Sequence, residues 1–457
     1  MQFGNQRLYS ACRYCQPAAD LQLATSQQHQ YATWMDIRGQ DDNQMVWAND
    51  LSGTINVPDD MTVIGGGIAG LAVATLLARA QRRVTVIESR HTVGETGYGI
   101  QMTPNGARIL KRLGIFGHGS VMSADRIEFC CPRSGQVWHQ LMLHGQRQDS
   151  SPYLLWHRAD LITQLAERAK ISGVNLRLDT HVVKVEEDGH RVACTLASGE
   201  IIPAEYLIGC DGLTSPVRQM LNPNSLPLYR HHAWRSLVPI PSSQRVHENV
   251  IRVLTGPGGH VVTYPLRSGS VLNIVAIKEA GRAVRRDLGM CFIPTDLVVR
   301  EFDSFGHHVR DLLQQCKQFE YWPIVGPSVA NKWSGRRSTL IGDALHAMPP
   351  FLAQGGNMAL EDAWALSQSL ISNTDIAEAH RQFRLKREPR IRKVLDHVEL
   401  QGRLYHARGL ATPARQAVLC SLNRLALGLL RKRLAWLFDW DECATAVGTN
   451  SRPVDRS

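Results

Sequence analysis

The chain has 457 residues, of which 44% are hydrophobic and 20% are charged, so it can form a globular protein of two or more subdomains. Its formal net charge is +10, but lysine and arginine are scattered along the chain, so we expect a basic surface that attracts small phosphorylated molecules and no nucleic-acid partner. No apolar run is long enough to span a bilayer, and residues 1–9 lack the apolar core of a secretory signal, so we expect a cytoplasmic protein without a stable membrane span.

Residues 1–58 are rich in Gln, Asn, Asp and Ser and show no hydrophobic period. This composition predicts a flexible N-terminal extension with little core of its own. Cys12 and Cys15 form a lone Cys-x-x-Cys pair in this extension, and no second pair follows at zinc spacing. We therefore assign no metal site to them, and the purpose of the extension stays open.

The folded body begins with a predicted β-α-β unit. A short apolar strand is expected at Met61–Ile64, a helix of small and aliphatic residues at Gly70–Ala80, and a second strand at Arg82–Glu88.

Three glycines connect the first strand to the helix in the pattern Gly65-x-Gly67-x-x-Gly70. Directly after a strand and at the start of a helix, this pattern is the dinucleotide-binding fingerprint. The first glycine permits the tight turn, the second leaves room for a pyrophosphate, and the third lets the helix pack closely on the strand. Glu88 ends the second strand, where a carboxylate can bind ribose hydroxyls and disfavours a 2′-phosphate. The tightly bound nucleotide is therefore expected to be FAD or NAD rather than NADP.

Beyond this unit the pattern changes. A helix is predicted around Leu161–Ala169, and residues 234–276 have the alternation of long strands joined by glycine-rich turns, which indicates an antiparallel meander. A buried strand returns at Ser338–Ile341, and the chain becomes helical from Asn357 onward.

Two later stretches distinguish FAD from NAD. Tyr206–Arg218, with Asp211 near its centre, resembles the Asp-Gly motif of the single-component, FAD-dependent aromatic hydroxylases. Thr339–Asn357, continuing into Glu361-Asp362-Ala363, resembles the Gly-Asp motif of the same family. The likeness extends over about residues 61–390 and fits best the salicylate hydroxylase-like branch, which includes fungal secondary-metabolite monooxygenases.

The resemblance implies an α/β fold, in which a Rossmann-like FAD-binding domain of the aromatic hydroxylase type is interrupted by an antiparallel β-sheet substrate domain and followed by a C-terminal helical region. The expected segments are 1–58 (flexible N-terminal extension), 59–225 (first part of the FAD-binding domain), 226–325 (substrate-binding sheet), 326–375 (return of the FAD-binding domain with the Gly-Asp motif) and 376–457 (C-terminal helices and tail).

The same resemblance implies which residues hold the cofactor. Asp343 would bind hydroxyls of the ribityl chain, Gly355 and Gly356 would let the backbone approach the flavin ring, and the helix starting near Asn357 would direct its positive end at the ring. The full expected set is Gly65, Gly67, Gly70, Glu88, Gly99, Gln101, Arg158, Asp211, Asp343, Gly356 and Asn357. Since only one glycine fingerprint is present, NADPH or NADH is expected to dock transiently, and the choice between them stays open.

Substrate chemistry is implied on the antiparallel sheet. In the fungal branch an arginine that matches Arg235 and a tyrosine that matches Tyr264 face the substrate pocket. Arg235 would hold a phenolate through its fixed charge, and Tyr264 would orient the ring or help to take its proton. The activated ring carbon would then attack a flavin hydroperoxide formed from molecular oxygen. The expected partners are thus a small aromatic substrate and O2, and the sequence leaves the substrate's identity and the oligomeric state open.

Other interpretations stay open at this stage. A different flavin reaction, such as epoxidation or halogenation, is one. The Trp-x-Trp-x-Ile stretch of flavin halogenases is absent, which counts against halogenation. A catalytically silent FAD-binding interaction protein is another. His231, His232 and His346 have no partners at metal-ligand spacing in the sequence, so we expect no metal site.

Overall fold

The computed structural model describes residues 55–94, 97–116, 120–143, 151–188, 190–223, 225, 228–245, 248–284, 291–408 and 429–444. Most of the predicted N-terminal extension, including Cys12 and Cys15, lies outside these ranges. None of the helices within the ranges combines the length and the apolar character that a bilayer crossing requires.

The described chain contains both strands and helices. The strands are β1 (Asp60–Ile64), β2 (Arg83–Ile87), β3 (Gly99–Met102), β4 (Met122–Ser123), β5 (Arg126–Cys130), β6 (Val137–Met142), β7 (Leu154–His157), β8 (Asn175–Arg177), β9 (Val182–Glu187), β10 (Val192–Leu196), β11 (Ile201–Ala204), β12 (Leu207–Gly209), β13 (Tyr229–Pro239), β14 (Val250–Gly256), β15 (Gly259–Leu266), β16 (Val271–Val284), β17 (Cys291–Pro294), β18 (Gln318–Val325), β19 (Ser328–Val329), β20 (Ser338–Leu340) and β21 (His346–Ala347). The α-helices are α1 (Ile68–Arg79), α2 (Pro104–Arg112), α3 (Arg158–Ile171), α4 (Pro216–Leu221), α5 (Thr295–Glu301), α6 (His307–Gln314), α7 (Gly355–Ser372), α8 (Ile376–Tyr405) and α9 (Leu429–Phe438).

A five-stranded parallel sheet with the order β20-β12-β1-β2-β8 organises the first part of the fold. Its central strands are short and apolar, as expected for parallel strands that are covered on both faces. Helix α1 is buried from Ile68 to Ala78 because it contacts β1 and β2 as well as helices α3 and α7. The predicted β-α-β unit is therefore present at the predicted place.

The second part of the fold is an eight-stranded sheet with the order β17-β18-β13-β16-β15-β14-β5-β6. Its strands pair antiparallel except for β14 and β5, which pair parallel. Six of these strands lie between residues 229 and 325, and helices α5 and α6 connect the last two of them. Strands β5 and β6 come from the stretch 126–142, which the sequence analysis had placed within the cofactor domain.

The two faces of this sheet have different partners. On one face Trp234, Ala276 and Val261 lie opposite one another and pack against Phe302 and Phe305, next to α5 and α6. This face is the apolar core of the sheet domain. The opposite face carries the alternate residues of the same strands.

The C-terminal helices cover the parallel-sheet domain. Helix α8 is capped by Asp375, whose side chain accepts the N–H of Glu378 at 3.2 Å, and the helix runs for 30 residues with Pro389 in its interior. It packs against α7, and Arg390 binds the backbone carbonyls of Trp436 and Leu437 in α9.

Candidate functional site

The four strands β2, β1, β12 and β20 lie side by side and end at the same edge of the parallel sheet. Ile64 pairs with both Ile87 and Gly209, and Gly209 pairs with Leu340, so the residues that follow these positions are neighbours. Each of the predicted cofactor motifs directly follows one of these strands. The edge beyond the carboxyl ends of parallel strands is the usual ligand site of such sheets.

The three fingerprint glycines meet different surroundings. Gly65 has φ +104°, and a Cβ there would lie 2.6 Å from the carbonyl oxygen of Cys210. A Cβ at Gly70 would lie 1.9 Å from the carbonyl oxygen of Gly65, so the helix can approach the turn only without a side chain. A Cβ at Gly67 would meet no protein atom within 4 Å. Gly67 thus borders an open groove, whereas the other two glycines satisfy packing inside the protein.

The groove is lined by hydrogen-bond donors and by one carboxylate. The helical bonds of α1 begin with the N–H of Leu71 donating to Gly67, so the preceding amides have no acceptor within the helix. Glu88 accepts the N–H of Gly66 at 2.6 Å through Oε2 and the N–H of Arg90 at 3.0 Å through Oε1. These bonds fix the Glu88 carboxylate beside the glycine turn, where its second lone pairs are available to ribose hydroxyls.

Asp211, directly after β12, carries two buried carboxylate oxygens that have no hydrogen-bond partner in the described chain. Burial, together with the negative charge of Glu88, raises the pKa of Asp211 to about 7, and the neighbouring Ser215 opposes this rise. A buried carboxyl group without partners is costly unless a ligand satisfies it. This observation indicates that a polar ligand belongs next to Asp211.

Asp343 follows β20 on a short turn. Its side chain is exposed to solvent, yet the surrounding protein raises its pKa, and the charges of His346 and Arg158 oppose that rise. Because the Asp343 side chain reaches solvent but is also surrounded by protein, it lies in the wall of a cleft. The turn itself is fixed by Asp362, which accepts the N–H of Gly342 at 3.0 Å and lies 2.5 Å from Nε2 of His346.

Helix α7 begins at Gly355, two residues earlier than predicted. Its internal hydrogen bonds begin with Met358 donating to Gln354, so the amides of the first turn are free within the helix. A Cβ at Gly355 would meet open space, whereas one at Gly356 would lie 2.9 Å from Cε of Met102. Gly355 therefore borders the cleft, and Gly356 allows the close approach of α7 to β3.

Asn357 is fully buried, and its amide is used inside the protein. Its Oδ1 accepts the N–H of Thr103 at 3.0 Å, and its Nδ2 donates to the carbonyls of Gln101 at 3.1 Å and of Ala353 at 2.6 Å. The side chain thus clamps the end of β3 to the start of α7.

Gly99 joins the cofactor edge to the eight-stranded sheet. A Cβ at Gly99 would lie 2.5 Å from the phenol oxygen of Tyr264, so the tyrosine lies directly on this glycine. The N–H of Gly99 also donates to Oδ1 of the buried Asn273 at 2.8 Å. Gln101, on the same side of β3, accepts the hydroxyl of Tyr153 through Oε1 at 2.6 Å.

Arg235 and Tyr264 lie on the face of the large sheet opposite to its apolar core. Arg235 is paired with Val275, which is paired with Val262, and Tyr264 is two residues further along the same strand. Burial raises the pKa of Tyr264, and the positive charge of Arg235 opposes the rise. The sheet therefore brings together the two residues that the sequence analysis proposed for the substrate.

Two arginines contribute positive charge to this cleft. The guanidinium of Arg235 lies 5.5 Å from the ring centroid of Trp322, and its buried Nε has no hydrogen-bond partner in the described chain. Burial lowers the pKa of Arg235, and the charge of Arg158 lowers it further. Arg158, the first residue of α3, interacts in turn with the charge of Asp343. An anionic ligand would relieve this repulsion.

The histidines singled out in the sequence have non-metal partners. His346 is paired with Asp362, His232 lies 2.8 Å from the hydroxyl of Tyr321, and His231 packs edge-on against Phe351. Within the described residues, no group of His, Cys, Asp or Glu side chains has an arrangement suited to a metal ion.

A buried ion cluster beneath the cleft was not predicted. Arg387 is fully buried and binds Glu361 at 2.7 Å, Asp362 at 2.8 Å and Glu442 at 2.9 Å. Arg390 binds Glu361 at 3.0 Å from the next turn of α8. Burial alone would raise the pKa of Asp362, but the charges of His346 and Arg387 outweigh it and lower that pKa to about 2.

A sequence signal for this cluster does exist. The buried stripe of α8 contains Phe383, Ile391 and Val394, and Arg387 interrupts it at the helical spacing of four residues. A charged residue within an apolar stripe indicates a buried ion pair. The sequence does not show which carboxylates complete it, because Glu442 is 55 positions away.

The residues at the sheet edge suit FAD. The open groove at Gly67 and the free amides of α1 fit the pyrophosphate, the fixed carboxylate of Glu88 fits a ribose, and the unpaired carboxyl group of Asp211 requires a polar partner. The second helix start at Gly355 borders the same cleft near Asp343 and fits the flavin end.

Comparison with known proteins agrees with this geometry. The family model described as FAD binding domain matches residues 59–398. The 3-hydroxybenzoate 6-hydroxylase of Klebsiella oxytoca is 30% identical over 393 residues, which cover 83% of this chain and 96% of that protein. The 3-amino-4-hydroxybenzoate 2-monooxygenase PtmB3 of Streptomyces platensis is 33% identical over 353 residues, which cover 76% and 88% of the two chains.

Solved structures agree at the level of the fold. A salicylate hydroxylase in complex with its substrate superposes with a TM-score of 0.70 at 24% identity, covering 85% of this chain and 97% of the other. The HpxO protein of Klebsiella pneumoniae, complexed with FAD and uric acid, gives a TM-score of 0.67 at 23% identity, covering 82% and 97%. The predictions of the family, the fold and the cofactor are therefore confirmed. The chain belongs to the FAD binding domain family and is an FAD-dependent monooxygenase with a salicylate hydroxylase-like fold.

Proposed function

We propose that this enzyme hydroxylates a small phenolic ring that lies between the flavin edge of the cleft and the face of the eight-stranded sheet that carries Arg235 and Tyr264. In the overall reaction a ring C–H becomes C–OH, O2 supplies that oxygen atom and one molecule of water, and NAD(P)H with a proton supplies the two electrons. Bound FAD supplies the hydride acceptance and the oxygen activation. The protein supplies the orientation and the charge.

The main support for the proposal is that Arg235 and Tyr264 share one face of the sheet next to the cofactor cleft. They lie on one face of the sheet, and the Tyr264 phenol rests against Gly99 of the strand that borders the cofactor cleft. A ring held by both residues would lie close to the reactive end of the cofactor.

Arg235 supports recognition of an anion. Its guanidinium is held over Trp322, its Nε has no partner in the described chain, and its charge adds to that of Arg158. A phenolate or a ring carboxylate would supply the missing partner through a charge-assisted hydrogen bond. Ionisation of the phenol also increases electron density at the adjacent ring carbon, which is the position that must be oxygenated.

Tyr264 supports the orientation of the ring. Burial raises its pKa, so its hydroxyl keeps its proton at neutral pH and can donate it in a hydrogen bond to the substrate oxygen. The curated relatives include hydroxylases of 3-hydroxybenzoate and 3-amino-4-hydroxybenzoate, and a ring of this kind, with hydroxyl and carboxylate groups, suits the two residues.

The test is a panel of hydroxybenzoates and simple phenols with the FAD-loaded enzyme, supplied separately with NADPH and NADH. We expect at least one phenol to accelerate NAD(P)H oxidation and to yield a product that gains one oxygen atom from labelled O2. Bound FAD without a labelled product across the panel would contradict the proposal and favour a silent flavoprotein.

Variants test the two residues. We expect Arg235→Leu to raise KM for the active phenol by at least about tenfold, because a charged hydrogen bond is lost. Arg252→Leu is the matched control, because Arg252 lies on the other face of the same sheet and pairs with Glu128. Equal effects of the two substitutions on KM would contradict a substrate contact at Arg235.

A further inference from the structure

The side chain of Gln101 is a candidate hydrogen-bond partner of the Tyr264 hydroxyl. Gly99 and Gln101 are two residues apart on β3, so their side-chain positions lie on the same side of the strand. The phenol oxygen of Tyr264 lies on Gly99, which places it beside the Gln101 amide. A hydrogen bond from Gln101 also lowers the pKa of Tyr264 against the larger effect of burial.

The orientation of the Gln101 amide is fixed from its other end. Tyr153 is buried, and its hydroxyl lies 2.6 Å from Oε1 of Gln101. Burial raises the pKa of Tyr153, so this hydroxyl keeps its proton and donates it to the amide oxygen. Because the amide oxygen is bonded to Tyr153, the amide nitrogen is the group of Gln101 that is left to donate to Tyr264.

We propose that Gln101 is a positioning residue whose amide, oriented by Tyr153, donates to the Tyr264 oxygen and thereby makes the Tyr264 proton available to the substrate. The inference rests on the proposed function, in which Tyr264 contacts the substrate oxygen. Its consequence is selection of the ionised substrate, because a donor binds a phenolate more strongly than a neutral phenol.

The C-terminal segment supports this chain of hydrogen bonds. Phe438 packs edge-on against Tyr153, with ring centroids 5.9 Å apart. Its position is fixed by Arg108, whose guanidinium donates to the carbonyls of Phe438 and of Trp440 at 2.5 and 2.7 Å. The segment around Phe438 therefore holds Tyr153 in place.

The test uses 4-nitrophenol as the probe, since its phenolate has a distinct visible absorption. The probe is titrated into FAD-loaded enzyme at a series of pH values, and its affinity and ionisation state are read by difference absorption. For the wild type we expect the affinity to rise as the probe ionises. Tyr153→Phe removes the bond that orients the amide, so we expect binding to the phenolate to weaken by about tenfold and its pH dependence to flatten.

Gln101→Glu is the sharper variant because its shape is preserved. A carboxylate accepts from both tyrosines, so Tyr264 would donate to residue 101 and a phenolate would be repelled. We expect this variant to prefer the neutral phenol, which reverses the pH profile. In a Tyr264→Phe background, Tyr153→Phe should have little further effect, because both act through the same hydroxyl.

Tyr206→Phe is the matched control, since Tyr206 is also buried and bonds His380 at 2.7 Å, and it precedes β12 at the amino end, whereas the cofactor motifs follow the carboxyl ends of the strands. A wild-type pH profile in both Tyr153→Phe and Gln101→Glu would overturn the inference, whatever the phenol panel yields. Conversely, phenolate-selective binding without any oxygenated product would sustain the inference and overturn the proposed function.

Discussion

The three glycines of the fingerprint serve different purposes that the structure separates. Gly65 and Gly70 lack side chains because a Cβ would strike backbone atoms of the protein itself. Gly67 has φ −85° and ψ −168°, which any residue can adopt, and the space around it is open. Its lack of a side chain therefore benefits the ligand alone.

Alanine substitutions can separate these two purposes. We expect Gly67→Ala to leave the free energy of unfolding of the apoprotein unchanged or higher by about 0.5 kcal/mol, because alanine restricts only the unfolded chain. FAD affinity should fall at least about tenfold, since the methyl group occupies the groove. Urea unfolding of the apoprotein and FAD titration by fluorescence measure the two quantities.

Gly70→Ala provides the contrast. Its Cβ would lie 1.9 Å from the Gly65 carbonyl oxygen, so the turn and the helix must separate. We expect a loss of about 1–3 kcal/mol in apoprotein stability together with weaker FAD binding. If Gly67→Ala destabilised the apoprotein as much as Gly70→Ala, the open groove at Gly67 would be refuted.

Some site residues were predictable from the sequence alone and others were not, for physical reasons. The glycine turn and Glu88 were predictable because strand, turn and helix are local in the chain. The positions of Arg235 and Tyr264 came only from the family resemblance, because their approach depends on strand register across β16. The roles assigned to Gln101 and Asn357 stay predictions, and both side chains also bond within the protein.

At the scale of elements, α7 and α8 are joined by charge. Arg387 of α8 binds Glu361 and Asp362 of α7, and Asp362 in turn holds the turn that carries Asp343. Buried ion pairs of this kind contribute little net stability when intact but cost much when one partner is removed. The cluster thus fixes the position of the helix that borders the flavin end of the cleft.

Arg387→Met tests this connection. We expect a loss of about 3–5 kcal/mol in the free energy of unfolding at pH 7, because three buried carboxylates lose their common partner. The pKa of Asp362 is lowered to about 2 from an ordinary value of 3.8, so its contribution is present above pH 4 and is lost as pH falls toward 2. The difference between variant and wild type should therefore shrink across that range in acid.

Arg381→Met is the control on the same helix, where Arg381 forms an exposed pair with Glu378. We expect little change in stability at any pH. A difference for Arg387→Met that stayed constant down to pH 2 would show that the lost stability comes from packing rather than from charge.

The pairing of strands that are distant in the chain could not be predicted from the sequence. Strands β5 and β6 lie between cofactor-edge elements in the chain but extend the far edge of the eight-stranded sheet. Strand β5 pairs in parallel with β14, which is more than 100 residues further along the chain. Local periodicity contains no information about so distant a partner.

For the whole molecule, the order β20-β12-β1-β2 brings segments as far apart in the chain as β1 and β20 to one edge. A ligand that contacts all of these segments should stabilise the whole fold cooperatively. FAD at a hundredfold excess over its Kd contributes about 2.7 kcal/mol, which for a fold of this size raises Tm by about 3 °C.

Differential scanning calorimetry measures this effect. We expect a single transition that moves upward with FAD concentration in the wild type and moves at most about half as far in Gly67→Ala, because a tenfold weaker site contributes about 1.4 kcal/mol at the same concentration. Two separate transitions, of which FAD shifts only one, would contradict a cofactor held by segments from the whole length of the fold.

The strand order also has a consequence for protein synthesis. Strand β20 pairs with β12 from more than 120 residues further along the chain, and α7 follows only after it. A nascent polypeptide cannot assemble the complete nucleotide cleft until about residue 372 has left the ribosome. We therefore expect FAD to bind late in synthesis. Chains released before that point carry the glycine turn but lack a complete FAD site.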